Sequence, residues 1–267
     1  MEYSNFIPHP SSLIPFMDVL ILAGGEAPDD LASQTEDNQR ALLRVGGVPM
    51  VFRVLNALRG IQEIERIAVV GADRVLELCG VLDSNLLLVQ SGDKMTQNFA
   101  IGTKALKSSQ EILVCTCDIP LVSSQTFKTF IQKSREKNLE IAYPVVTRAV
   151  CEARFPDSAR TYAKLGGVEL TGGNCVLLPT RIAPNVTTLL ETAYNARKNP
   201  LALSKMLGAS LVWKFVSKKL TVEDVEKQAS RVLDCRVGAV ELDDATIAFD
   251  VDKRSHWQSA EKYLQSK

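Results

Sequence analysis

Asp18-Val19-Leu20-Ile21-Leu22-Ala23-Gly24-Gly25 is an apolar run that stops at a pair of glycines. Asp18–Leu22 reads as a buried strand, and the glycines read as its exit turn. Adjacent glycines permit positive φ and let backbone N–H groups approach an anion such as a phosphate closely. The same grammar recurs outward along the chain. Pro49–Arg59 reads as a helix, Arg66–Val70 as a strand closed by Gly71, and Leu86–Gln90 as another strand. A helix over Gln97–Lys107 and a strand over Glu111–Thr116 follow, and Ser123 or Ser124 caps a helix running to about Lys137. Short β-rich runs alternating with helical patterns predict βαβ units, hence a mostly parallel, Rossmann-like α/β sheet with helices on both faces. Right-handed crossovers then gather the loops after the strands on one edge, where such sheets bind ligands. Those loops hold Leu22-Ala23-Gly24-Gly25, Gly71, Ser91-Gly92-Asp93 and Cys117-Asp118-Ile119-Pro120.

The second half is more elaborate. Ile141–Thr147 and Asn174–Leu178 read as strands, joined by a turn-rich stretch from Arg148 to Gly173. Helices are expected at Thr188–Arg197 and Leu201–Leu207, and a strand at Leu211–Val216. Thr221 with Asp224 forms a capping-box start to a helix over Val222–Val232. Ala239–Leu242 and Thr246–Val251, separated by Asp243-Asp244, read as a hairpin-like pair before a final helix, Arg254–Leu264. No linker or repeat interrupts the pattern. The expectation is an N-terminal arm over residues 1–17 and one domain over 18–267, with a regular first half (18–138) and an elaborated second half (139–267).

Composition narrows the function classes. Among 267 residues, 31 Lys+Arg balance 31 Asp+Glu. That zero net charge removes the broad electrostatic argument for a nucleic-acid or anionic-membrane partner. No apolar run reaches the roughly 18–20 residues of a membrane span. The N-terminal stretch has no basic n-region and is broken by Pro8, Pro10 and Pro15, so it reads as an arm and not a secretory signal. Six scattered cysteines, with Cys115 and Cys117 on one face of a strand, read as buried small hydrophobes and favour a reducing, cytoplasmic setting. No Ser/His/Asp triad is visible, and no G-x-G-x-x-G follows the first strand, which disfavours a dinucleotide oxidoreductase.

The strand-Gly-Gly opening, a basic residue at Arg40, the Gly47-Val48-Pro49-Met50 turn and the helix after it resemble the start of the NTP-transferase superfamily. Sugar-phosphate nucleotidylyltransferases and molybdenum cofactor guanylyltransferase-like (MobA-like) proteins belong to it. The superfamily pattern is L-A-G-G-x-G-x-R, then P-K-x-L, then G-K-P-M. Leu22, Ala23, Gly24 and Gly25 match the opening, and Arg40 stands where the superfamily carries a lysine. The Gly and Arg after Gly-Gly are replaced by an acidic segment around Glu26–Leu31, in which Asp29 and Asp30 would oppose phosphate unless turned outward.

The resemblance implies a fold of the same type and the transfer of an NMP group from an NTP to a small, anionic or phosphorylated acceptor, releasing pyrophosphate. Asp118, before Ile119-Pro120-Leu121, is similar to the superfamily's D-x-P-L metal loop. It would hold Mg²⁺ with Asp250 or Asp252, while helix capping is the alternative role for Asp118. Asp250-Val251-Asp252 resembles the D-[IV]-D/N segment near the superfamily's C-terminus, one carboxylate serving the metal and the other capping the last helix. Gly24, Gly25 and Arg40 would cradle the phosphates, and Gly92 and Asn98 would face the base. Gly173 and Asn174 would lie under the acceptor. Arg160, with Arg148, Arg154 and Lys164, belongs either to a solvated arm or to an anionic acceptor site. Two other readings stay open: a catalytically degenerate nucleotide-binding protein, because of the lost Gly-x-Arg, and a related metal-dependent glycosyltransferase.

Overall fold

A computed structural model describes residues 16–35, 37–107, 110–158, 160–196 and 208–266. The first half runs β1 (Met17–Ala23), the two-residue strands β2 (Arg44–Val45) and β3 (Val48–Pro49), α1 (Met50–Arg59), β4 (Ile64–Gly71) and α2 (Asp73–Leu82). It continues through β5 (Leu87–Gln90), α3 (Met95–Leu106), β6 (Glu111–Thr116) and α4 (Ser124–Glu136). The second half holds β7 (Ile141–Thr147), α5 (Arg148–Arg154), β8 (Ala163–Leu165), β9 (Val168–Gly172), β10 (Cys175–Pro179) and α6 (Ala183–Ala196). It closes with α7 (Ala209–Val216), α8 (Val222–Leu233), β11 (Val237–Glu241) and α9 (Arg254–Gln265). The expected helix at Leu201–Leu207 and residues 1–15 of the expected arm lie outside the described residues. Met17 is already a buried residue of β1.

One nine-stranded sheet carries the fold, in the order β5-β4-β1-β6-β10-β7-β9-β8, with β11 also paired to β7. The β5-β4-β1-β6 side is wholly parallel, as the alternating pattern predicts. The other side is mixed: β10 runs antiparallel to both β6 and β7, and β11 runs parallel to β7. The chain extends from β1 to β4 and β5 in one direction, then returns to place β6 on the far side of β1. The crevice at that reversal, beyond the carboxyl ends of β1 and β6, is where ligands of open α/β sheets bind.

Alternation along the strands builds two cores. Met17, Val19, Ile21 and Ala23 of β1 face α1 and α4, and Leu20 faces α3. On α1, Met50, Val51, Val54, Leu55 and Leu58 are fully buried at helical spacing, each contributing about 1.5–3 kcal/mol. On the opposite face Gly102 lets α3 lie against the sheet. A Cβ there would sit 2.4 Å from Leu20 Cδ1 and 2.8 Å from Val70 Cγ2.

Three expectations for the second half are corrected. Leu211–Val216 is not a strand but belongs to α7. A short, nearly continuous apolar run has no period to separate the two states. Ala239–Leu242 and Thr246–Val251 do not form a hairpin: β11 pairs with β7, and Ala245–Ala248 forms a 3-10 turn. The Asp244 carboxylate causes this, accepting from the Thr246 N–H at 3.0 Å and the Thr126 hydroxyl at 2.5 Å, so the chain is wound instead of reversed. The stretch expected to be turns between Arg148 and Gly173 contains α5 and the β8–β9 hairpin, whose corner Gly166-Gly167 takes φ of +59° and +87°. Two successive positive φ values match the twist of a two-residue hairpin. The capping box at Thr221 and Asp224 is present.

Candidate active site

The first wall of the crevice is the Gly-Gly turn. The Cys117 N–H donates to the Leu22 carbonyl at 3.1 Å, which holds the ends of β1 and β6 together. A Cβ on Gly24 would lie 2.9 Å from Asn98 Nδ2 and 3.3 Å from Ser91 Cβ, so only glycine lets α3 and the loop after β5 close on this turn. Gly25 has φ +107°, in the region that favours glycine. The chain then makes an excursion and returns. Glu26 and Gln39 bridge, the Ala27 N–H donates to Asn38 O at 2.8 Å, and the Arg40 N–H donates to Gly25 O at 3.1 Å. Arg40 is therefore brought back beside Gly25. Asp30 is not among the residues that line the cleft described below, and its carboxylate accepts from the Arg254 N–H at the start of α9 at 2.9 Å.

Three aspartates form the opposite wall. Asp118 follows β6, and its carbonyl accepts from the Val251 N–H at 2.9 Å, which sets Asp250-Val251-Asp252 beside it. Arg40 Nη1 lies 3.3 Å from Asp118 Oδ2 and 2.8 Å from Asp252 Oδ1, so one nitrogen bridges two carboxylates 134 positions apart in sequence. Burial pushes the Asp118 carboxyl up, and the nearby Asp250 charge adds to this, against the Thr116 hydroxyl that donates to it at 2.5 Å. Asp252, hydrogen-bonded to Asp250 and half-buried near the Asp250 and Asp118 charges, is pushed up to about 7. Burial opposes ionisation of Asp250 too, yet the hydrogen bond with Asp252 and the Arg160 charge hold it below the usual range. Neither Asp250 nor Asp252 caps α9: its first turn begins after Lys253, with no side-chain cap.

Between these walls lies a cleft of about 680 Å³, lined by Leu22, Gly24, Gly25, Arg40, Gly92, Asn98 and Asp118 among others. Its volume is in the range of small-molecule sites. Asn98 is buried, and its Oδ1 accepts from the Gly92 N–H at 2.7 Å. It thus shapes the loop over the cleft, leaving its Nδ2 toward Gly24.

The residues expected beneath an acceptor, Gly173 and Asn174, are bonded into the wall that holds Asp118. The Gly173 N–H donates to Pro144 O at 2.8 Å, and a Cβ there would meet Pro144 Cγ at 2.8 Å. The Asn174 N–H donates to Ile247 O at 3.0 Å, and its carbonyl accepts from the Thr116 N–H at 3.1 Å. Arg160 is 6% exposed in its side chain. It pairs with Asp250 at 2.9 Å, donates to the Ala248 carbonyl and lies 5.2 Å from the Phe249 ring centroid. Arg148 and Arg154 lie apart from it, on Glu152 and on Tyr263.

Among the described residues no three His, Cys, Asp or Glu side chains are grouped so as to hold a metal alone. Two carboxylates with substrate phosphate oxygens are a usual Mg²⁺ environment. Three carboxylates share two arginines here, so with all three ionised the wall is one positive charge short. The donor set fits a hard divalent cation. Glu26, Gln39, Ala72, Met95 and Thr116 complete the site and were not predicted, whereas Ser91, Asp93 and Cys117 lie in loops expected at this edge. Thr116 was legible in principle, two residues before Asp118 on the same face of the chain. The others depend on how the 26–39 excursion folds back and on the loop after β5.

The comparisons with known proteins agree with this architecture. A hypothetical transferase from Thermus thermophilus is 27% identical, with a TM-score of 0.77 over 91% of this chain and 99% of its own. A 4-diphosphocytidyl-2C-methyl-D-erythritol synthase from Anaerococcus prevotii shares the fold at 14% identity, TM-score 0.60, covering 94% of this chain and 96% of that one. A CMP:2-keto-3-deoxy-manno-octonic acid synthetase solved with CTP shares it at 12% identity, TM-score 0.63, over 94% and 99%. No curated protein matches the chain in sequence. No helix among the described residues is long and apolar enough to cross a membrane. The family model of the MobA-like NTP transferase domain matches residues 19–205, well over half of the chain, and the chain belongs to that family.

Proposed function

We propose that the protein transfers an NMP group from an NTP to a small anionic acceptor and releases pyrophosphate. The observation that carries this reading is the convergence of Arg40, Asp118 and Asp252 at the end of β1 and β6, beside the Gly24-Gly25 turn. The family is one of NTP transferases, and a structure of the same fold was solved with CTP. Nucleotidyl transfer needs alignment and charge neutralisation more than a covalent nucleophile. The turn's backbone N–H groups and Arg40 would receive the phosphates and stabilise the charge that builds on departing pyrophosphate. Asp118 and Asp252, whose oxygens face one another across Arg40, would hold Mg²⁺, which would neutralise the phosphates. Asp250, turned to Arg160, would keep Asp252 in place.

The acidic segment that replaces Gly-x-Arg does not by itself disable the site, because Asp30 is directed to α9 and Arg40 returns to Gly25. The test is incubation of ATP, CTP, GTP or UTP and Mg²⁺ with a panel of phosphorylated small molecules. Mass spectrometry should find acceptor plus NMP with an equal amount of pyrophosphate. Release of inorganic phosphate and NDP would place cleavage at the wrong bond, and binding without turnover would mark a degenerate site.

A further inference from the structure

The Arg40 guanidinium occupies the place between the aspartates that a divalent ion would need. Its Nη1 is 2.8 Å from Asp252 Oδ1 and 3.3 Å from Asp118 Oδ2, and its Nε donates to the Glu26 carbonyl at 3.3 Å. A guanidinium and a metal ion cannot both take the inward-facing oxygens of the same two carboxylates. Two cations a few ångströms apart also repel. The neighbourhood offers Arg40 another partner: its own backbone is bonded to Gly25, so its head can reach whatever the Gly24-Gly25 turn binds. The side chain is 31% exposed, and leaving the aspartates does not drag it out of a packed core.

We propose that Arg40 is a surrogate cation. It satisfies Asp118 and Asp252 while the cleft is empty, resists bare divalent ions, and passes to the phosphates when metal and nucleotide arrive together. The proposal rests on the reading that these two aspartates are the metal-binding pair. Its consequence is that metal and nucleotide favour one another's binding, because each frees Arg40 or gives it a new partner. Arg40 then acts twice, as a placeholder for the metal and as a phosphate ligand. A lysine in its place would hold the two carboxylates less well, since a single ammonium lacks the planar fork.

The probe is Mn²⁺ without nucleotide, its binding followed by loss of the free-ion electron paramagnetic resonance signal. Wild type, Arg40→Met, Arg40→Lys, Asp118→Asn and Arg40→Met/Asp118→Asn are compared, each checked for native circular dichroism. Arg40→Met is expected to bind one Mn²⁺ at least about fivefold more tightly than wild type, since a competing unit charge has gone. Arg40→Lys should fall between them, and the double variant should lose the gain. Equal Mn²⁺ affinity in wild type, Arg40→Met and Arg40→Lys, with binding abolished by Asp118→Asn, would overturn the surrogate role and leave the metal pair standing. Mn²⁺ binding that ignores Asp118→Asn would overturn the metal pair as well.

Discussion

Arg160→Met should destabilise the protein by several degrees, although the sequence offers the residue as a candidate for an anionic acceptor site. Its Nη2 is 2.9 Å from Asp250 Oδ1, its second terminal nitrogen donates to the Ala248 carbonyl, and its side chain is 6% exposed. Methionine keeps much of the apolar stem against Phe249 but removes every donor. The Asp250 carboxylate, 25% exposed, is left without its cation, and the Ala248 carbonyl without its donor. Breaking one side of a buried ion pair costs about 3–5 kcal/mol. Residual solvent access at Asp250 reduces this to roughly 2–4 kcal/mol. With an unfolding entropy of about 2.1 cal/mol/K per residue, that range lowers Tm by roughly 4–7 °C for a chain of this length. The assay is thermal unfolding of wild type, Arg160→Met, Asp250→Asn and the double variant. The double variant should lose less than the two single losses together, by about 1 kcal/mol or more, because the pair is lost only once. A Tm for Arg160→Met within about 1 °C of wild type, or strictly additive losses, would refute a clamp on Asp250.

Three further outcomes follow from the geometry. Asp250→Asn should lower Tm through the lost Arg160 pair, whereas Asp252→Asn should weaken Mn²⁺ binding with little change in Tm; the two are compared by thermal unfolding and metal titration. Gly102→Ala should lower Tm despite alanine's better helix propensity, because overpacking against Leu20 and Val70 costs about 1–3 kcal/mol; calorimetry showing a gain in stability would mean α3 can lift freely. In the native protein only Cys235, the one half-buried thiol, should react promptly with a thiol reagent at neutral pH, all six reacting after denaturation. Five of the six are buried, and burial pushes Cys79 up to about 12.

The parallel half of the sheet was legible because its strands and helices alternate in period and each strand runs into a Gly or Asp within two residues of its end. The mixed half was not. Gly166-Gly167 marks a hairpin corner in sequence, but its flanking strands are three and five residues long and partly polar. Leu211–Val216 carries no period, and only tertiary packing decides between strand and helix there. At the site, Gly24, Gly25, Arg40, Gly92, Asn98 and Asp118 line one cleft, and Asp252 meets Arg40 at its edge. The burial of Arg160 against Asp250, 90 positions away, is a long-range contact that residue type and spacing do not encode. The same holds for the return of Arg40 to Gly25, which depends on the bridge between Glu26 and Gln39.

Pyrophosphate release by Asp118→Asn, measured against wild type at saturating Mg²⁺ and NTP with the acceptor that supports turnover, decides whether the aspartate wall carries the chemistry. The side chain keeps its size, and asparagine can accept from Arg40 with its oxygen and donate to the Thr116 hydroxyl with its amide nitrogen, so the fold should survive with an unchanged circular dichroism spectrum. Turnover should fall on the order of a hundredfold or more, because the charge that anchors the metal against the transferring phosphate is gone. Turnover equal to that of wild type would contradict a metal-dependent transfer at this cleft.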